Sequence, residues 1–284
     1  MRRVLAVLAI LFSTSSEAAR IELIGPTLFY VSTVNGNDAN DGLTPLTPKL
    51  TTNAMLATLQ RDYDFKCYDV QILHATSVQP YAPIAVKGGF TGQCGLPVRL
   101  VGNIARGAVV VNGLGGSAIF AEGSPTHILV EGLTLQATWG GLQAASGARI
   151  YYRDIEFLNA AYHVISEKIG SLTFYLNTRS NGDKSNYFIT ASAISHLYCN
   201  GGAECILTET VNSNGIEFIG SGVGFTVFAQ LIQGGNLTAH TNKFIGMINN
   251  YPNLYVQWNS VGGYVSQLPG NGGFYVDANS MIMQ

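Results

Sequence analysis

The sequence predicts an all-β chain wound as a parallel β-helix, a solenoid with coils of about 22 residues and a short N-terminal capping helix. Strand-like units ending in an apolar residue recur at Leu135, Phe157, Phe174, Leu197, Phe218 and Phe244, at intervals of 22, 17, 23, 21 and 26 positions. Gly-rich breaks such as Trp139-Gly140-Gly141, Gly201-Gly202 and Gly234-Gly235 fall between them. Charged residues make up 11% of the 284 positions, against about 25% in an ordinary domain, and glycine supplies 33. Coils stacked about 4.8 Å apart account for all three observations. Inward positions are apolar, corners need residues that accept positive φ, and a charge placed on a like charge is unfavourable. The competing all-β reading is an antiparallel sandwich, whose turns recur about every 8–12 residues, a shorter interval than this one. The intervals between units hold no amphipathic helical pattern, which disfavours alternating βαβ units.

The composition also excludes classes of function. The 47% hydrophobic content with a net charge of −2 excludes disorder. Coiled coils and long helices are rich in Ala, Glu, Lys, Leu and Arg, which this chain is not. With 15 Lys+Arg against 17 Asp+Glu and a pI near 6.2, no basic surface is expected to follow nucleic-acid phosphates.

In chain order, residues 1–18 read as an export signal or an N-terminal docking segment. Arg2 and Arg3 precede the apolar run from Val4 to Phe12, and Ser16 and Ala18 stand at −3 and −1 of a cut before Ala19. That run is too short for a bilayer, which needs about 20 residues, and no later stretch resembles a membrane span. Residues 19–65 hold an N-terminal strand, an Asx/Gly loop and the capping helix. Helical spacing over residues 52–63 puts Met55, Leu56, Leu59 and Tyr63 on one face behind a threonine N-cap, suited to covering the open end of a coil. Asp38, Asn40 and Asp41 have the look of a calcium loop but lack its distal Glu, and Asx turns explain them more simply. Residues 66–262 form the β-helix and residues 263–284 a tail.

The four cysteines suggest disulfides if the chain is exported. Cys199 and Cys205 bracket a short loop that would close locally, leaving Cys67 to pair with Cys94; four buried thiols are the alternative. No CxxC occurs and the histidines lie far from the cysteines in sequence, so no metal site is expected.

The stretch from Tyr30 to Pro48, with Asn35-Gly36-Asn37-Asp38-Ala39-Asn40-Asp41-Gly42 at its centre, resembles the opening motif of right-handed parallel β-helix proteins of the pectin-lyase-like superfamily. A short helix and a strand like Tyr68-Asp69-Val70-Gln71-Ile72 follow there as here. The nearest look-alikes are phage and prophage tail-fibre and tailspike chains, whose Pro-Gly…Gly-Tyr endings the stretch from Leu268 to Val276 also resembles. The resemblance covers residues 28–120 and then continues through the repeat. It implies a right-handed coil and a homotrimeric assembly that meets other virion proteins or cell-surface polysaccharide.

Enzymes of that superfamily work with carboxylate clusters, a Lys or Arg base, or paired acids. Aligned by the repeat, the outward column reads Thr134, Glu156, Thr173, His196, Glu217 and Lys243. Glu156 and Glu217 then stand three coils apart, about 14 Å, too far for retaining (about 5–5.5 Å) or inverting (about 6.5–9.5 Å) glycosidases. His196 and Glu217 fall on adjacent coils, the arrangement of a general base oriented by a carboxylate, and are the catalytic candidates. Arg153, Asp154 and Glu156 form a second cluster, with Asp154 and Glu156 on one side and Arg153 pointing away. No phosphate-binding Gly loop and no G-x-S-x-G elbow is present, and no cofactor is expected. Trp139, Tyr151, Tyr175, Tyr198 and Trp258 are candidate glycan-stacking residues, with core or subunit-interface packing as the alternative.

Two principal function classes follow. The first is a structural, receptor-binding β-helix of a phage particle (tail fibre, spike or capsid appendage) that contacts surface glycans without cleaving them. The second is a secreted polysaccharide lyase or glycoside hydrolase. An exported surface adhesin is a third. The expected location is accordingly virion or extracellular.

Overall fold

The computed structural model describes residues 19–168 except Ile104 and Arg106, the side chains of Ser171 and Thr173, and the backbone of the strands from Leu172–Tyr175 to Met281–Ile282. It is predominantly β, with one helix, Thr52–Asp62, among the described residues. No described helix is long and apolar enough to cross a membrane.

The described strands form three large parallel sheets and a two-stranded one, Ile21–Glu22 with Tyr63–Asp64. Ten strands form the first: Thr27–Val31, Val70–His74, Val98–Val101, His127–Glu131, Arg149–Arg153, Leu172–Tyr175, Glu204–Leu207, Asn236–Ala239, Val261–Gly263 and Met281–Ile282. Six form the second: Val110–Asn112, Thr134–Gln136, Ile155–Leu158, Tyr187–Ile189, Ile216–Gly220 and Asn242–Ile245. The third has eight: Ile84–Lys87, Ile119–Glu122, Gly140–Ala145, Tyr162–Glu167, Ala193–Asn200, Phe225–Ile232, Leu254–Val256 and Phe274–Val276. From Val98 onward the chain visits first, second and third sheet in turn, and from Val261 it alternates between first and third. Each strand therefore pairs with its equivalent one coil later, always in parallel. This topology is compatible with a β-solenoid, and the parallel pairing does not fit an antiparallel sandwich.

Inward columns carry the core. Phe29, Ile72, Leu100, Val130 and Tyr152 succeed one another in register on the first sheet, each fully buried. Leu135 and Phe157 do the same on the second sheet. The corner from third sheet to first is left-handed in four successive coils, at Gly88 (φ 78°), Gly123 (87°), Ser146 (54°) and Lys168 (69°). The conformation is a property of the corner, and glycine occupies it in the first two coils only.

The register between coils differs from the one the repeat predicts. Thr134 pairs with Glu156, 22 positions on, as expected. Glu156, however, pairs with Phe188, 32 positions on. Leu172-Thr173-Phe174 belongs to the first sheet and Ser195-His196-Leu197 to the third, so they do not continue the column begun at Leu135 and Phe157. Strands of all three sheets share one alternation of inward apolar and outward residues, so the pattern alone does not say which sheet a strand joins.

The N-terminal end is covered as the helical spacing predicts. Thr51 caps the helix, its hydroxyl accepting from Ala54 N at 3.2 Å, and Met55, Leu56, Leu59 and Tyr63 are buried. The free edge of the first strand is closed by the Asx loop, with Tyr30 N donating to Gly42 O and Ser32 N to Lys49 O. The Asx turns are present: Asn37 Oδ1 accepts from Ala39 N and Asp41 Oδ1 from Leu43 N, both at 3.0 Å. The loop closes around a cation of the chain itself, since the Lys49 ammonium donates to the carbonyls of Asp38 (2.9 Å) and Asn40 (2.6 Å). Cys67 and Cys94 form the expected disulfide. Cys199 and Cys205 lie in Ala193–Asn200 and Glu204–Leu207, where their side chains fall outside the described residues.

Candidate functional site

The outer face of the ten-stranded sheet carries a ladder of alternating charge. Arg99 reaches down to Asp69 Oδ2 (3.4 Å) and up to Glu131 Oε1 (2.5 Å), and Glu131 Oε2 takes Arg153 Nε at 2.6 Å. Glu131 and Arg153 are in direct register, and both side chains are nearly buried. Like charges do not meet on this ladder because each rung changes sign. Of these residues the sequence marks Arg153, and Glu131, opposite in charge and 22 positions before it, stands at the expected coil interval; the steps from Asp69 to Arg99 and from Arg99 to Glu131 are 30 and 32 positions, which a 22-residue repeat does not mark.

Glu156 does sit above Thr134, but both are buried, at 8% and 3% exposure, and do not form an open polar column. Thr134 donates its hydroxyl to Glu156 Oε2 (2.8 Å) and accepts from Gly107 N (2.9 Å), so a neighbouring loop closes over this face. Arg153 turns to Glu131, away from Glu156, as alternation predicts. Asp154, by contrast, is a left-handed corner residue between two strands (φ 52°), so strand alternation does not relate it to Glu156.

The catalytic candidates are not stacked. His196 lies in the third sheet and Glu217 in the second. Glu217 is in register with Lys243, as expected. Its strand is two rungs from that of Glu156 instead of three, and Glu156 runs through Phe188 to Ile219, two residues beyond Glu217. Strand spacing and rise then put the two glutamate backbone positions about 12 Å apart, still wide for a glycosidase pair. The side chains of His196 and Glu217 fall outside the described residues.

Among the aromatic candidates whose side chains are described, Trp139 is the more exposed. It stands just before Gly140–Ala145 with 45% of its surface exposed, edge-on to Tyr162 at 4.9 Å between ring centres. The same sheet carries a polar line that starts at Ser117, next to Gly140, and runs away along the strands: Ser117 Oγ donates to Gln143 Oε1 (2.7 Å), and Gln143 Nε2 to Glu167 Oε2 (3.0 Å). Tyr151 is half-buried on the outer face of the first sheet against His127. Tyr175 occupies the register position of the core residue Tyr152, and Tyr198 that of the buried Ile165. Trp258 lies outside the described residues.

Two histidines are buried at other points. His74 Nδ1 donates to the Val101 carbonyl (3.0 Å), which leaves Nε2 to accept from the Thr52 hydroxyl (2.9 Å). Burial lowers its pKa to about 4, and lowers that of His163, stacked on Phe157, to about 3. Both imidazoles are therefore neutral at neutral pH. No group of three or more His, Cys, Asp or Glu is gathered to hold a metal among the described residues. No protein-family model, curated protein or solved structure matches the chain.

Proposed function

We propose that the chain is a right-handed parallel β-helix serving as a structural, receptor-binding component of a phage particle, which contacts surface glycans without cleaving them. The observation that carries the reading is the half-exposed Trp139, braced by Tyr162 on the sheet that also carries the Ser117–Gln143–Glu167 line. An exposed indole stacks on the C–H face of a sugar while amide and carboxylate groups take its hydroxyls. Right-handed winding is supported by the near-universal hand of parallel crossover connections. A binding role is favoured over a catalytic one because Asp69, Glu131 and Glu156 are each engaged by a neighbour within the stack. Homotrimer formation and a virion or extracellular location complete the proposal.

The test is a surface-glycan panel read by tryptophan fluorescence in a Trp258→Phe background, where Trp139 is the one indole left, with the affinities of the parent and of Trp139→Ala compared by isothermal titration calorimetry. Trp139→Ala is expected to weaken the bound glycan about tenfold or more. Unchanged affinity would remove the site, and release of oligosaccharide would favour the lyase or hydrolase reading. A strictly monomeric mass in solution would remove the fibre component.

A further inference from the structure

The Cys67–Cys94 disulfide joins the two turns that lead into Val70–His74 and Val98–Val101, neighbouring strands of the first sheet. Both of its residues are exposed. Each turn is left-handed at its two central residues. Tyr68 N donates to Phe65 O (2.9 Å) across Lys66 (φ 48°) and Cys67 (65°), and Leu96 N to Gln93 O (3.0 Å) across Cys94 (51°) and Gly95 (81°). Such turns favour Asn and Gly, so Lys66, Cys67 and Cys94 hold a backbone conformation that ordinary side chains resist and their surroundings impose. Exposed or strained disulfides are the ones that exchange with thiols, whereas structural ones resist reduction.

A cavity of about 250 Å³ opens on one side of this disulfide: Phe90, Gln93, Cys94, Pro125 and His127 line it, and Cys67 does not. His127 is fastened to the residues on both sides of Cys94. Gln93 Nε2 donates to the His127 carbonyl (2.8 Å), and His127 Nδ1 donates to Gly95 O (3.3 Å). A carbonyl only accepts, so Nδ1 carries a proton and the neutral ring keeps its lone pair at Nε2. The wall of one small cavity thus holds an electrophilic sulfur and a base.

The geometry points to a thiol-exchange site at Cys94 whose substrate is a low-molecular-weight aliphatic thiol. The thiol gives its proton to His127 Nε2, and its sulfur attacks Cys94 Sγ. The S–S bond breaks, Cys67 Sγ leaves with the bonding pair, and that thiolate takes the proton back from the imidazolium. The incoming thiol ends oxidised, as a mixed disulfide on Cys94, and Cys67 ends reduced, so no further oxidant or reductant takes part.

Treating the folded full chain with 2-mercaptoethanol, quenching early with iodoacetamide and reading the products by peptide mass spectrometry tests this. The expected product carries 2-mercaptoethanol on Cys94 and an alkylated Cys67. His127→Gln keeps a side-chain N–H for Gly95 O but removes the base, and should slow opening by 2-mercaptoethanol about tenfold or more. Opening by tris(2-carboxyethyl)phosphine, which attacks through a phosphorus lone pair and needs no S–H proton removed, should proceed in that variant as in the parent. A disulfide that opens only once the chain is unfolded, an early adduct on Cys67 instead of Cys94, or a His127→Gln variant that slows both reagents equally or neither would overturn the site.

Discussion

A side chain in a stacked coil is governed chiefly by the residues one coil above and below, and its charge is tolerated only if those neighbours answer it. Asp69, Arg99, Glu131 and Arg153 meet that condition by alternating in sign. The buried imidazoles meet it by staying neutral, and that neutrality makes stability depend on pH. An unfolded histidine takes up a proton near pH 6.5, whereas His74 resists protonation down to about 4 and His163 to about 3. The folded state is thus favoured in full above pH 6.5, and acid below that value progressively favours the unfolded chain. Each buried histidine contributes a slope of about 1.4 kcal/mol per pH unit, so His74 alone accounts for about 3 kcal/mol between pH 6.5 and 4. Thermal unfolding followed by circular dichroism from pH 7.5 to 4.5 is expected to show Tm falling below pH 6.5. His163→Phe, which keeps an aromatic ring against Phe157, should flatten that fall; an unchanged slope would mean that His163 is not a buried neutral group.

Elements were legible where local chemistry decides them. The capping helix could be placed because Met55, Leu56 and Leu59 repeat at helical spacing behind a threonine, and those side chains are buried where the spacing puts them. The Asx loop could be read because Asn and Asp bond their own backbone two residues on. Corners were only half legible: glycine marks Gly88 and Gly123, but Ser146 and Lys168 take the same left-handed conformation without any compositional sign. The corner glycines also differ in what they need. At Gly88 a Cβ would meet nothing within 4 Å, so Gly88→Ala should cost only the left-handed backbone penalty of about 1–2 kcal/mol. At Gly102 a Cβ would run into the Gly132 carbonyl of the next coil, so Gly102→Ala must push the stack apart and should cost clearly more. Urea unfolding of the two variants checks the order. A loss for Gly102→Ala no larger than that for Gly88→Ala would mean that the coils do not need this close approach.

At the scale of the whole molecule, the register between coils was the part the sequence concealed. Inward alternation is common to all three sheets, and connections of unequal length shift the interval from 22 to 32 positions between neighbouring coils. The same fact that places Thr173 and His196 in other sheets explains why the aromatic candidates are only partly legible: nothing in the sequence shows that Tyr175 shares the register position of Tyr152. Modularity follows, because a coil that contacts only its neighbours can be removed if the register closes behind it. Residues 127–148 qualify, since His127 pairs with Arg149, Thr134 with Glu156 and Gly140 with Tyr162, the same 22-residue step in all three sheets. Deleting them is expected to leave a β-rich chain that unfolds cooperatively. The deletion also removes Glu131 and brings Arg153 into its place beside Arg99, so two like charges meet where a carboxylate had joined them. The deletion variant should therefore have a lowered Tm, and Arg153→Glu added to it should restore part of the loss by re-forming the alternation. In the full-length chain the same Arg153→Glu change should destabilise, because it stacks a carboxylate directly on Glu131. A substitution that helps one chain and harms the other is the signature of stacking in register, and a change of the same sign in both would refute it.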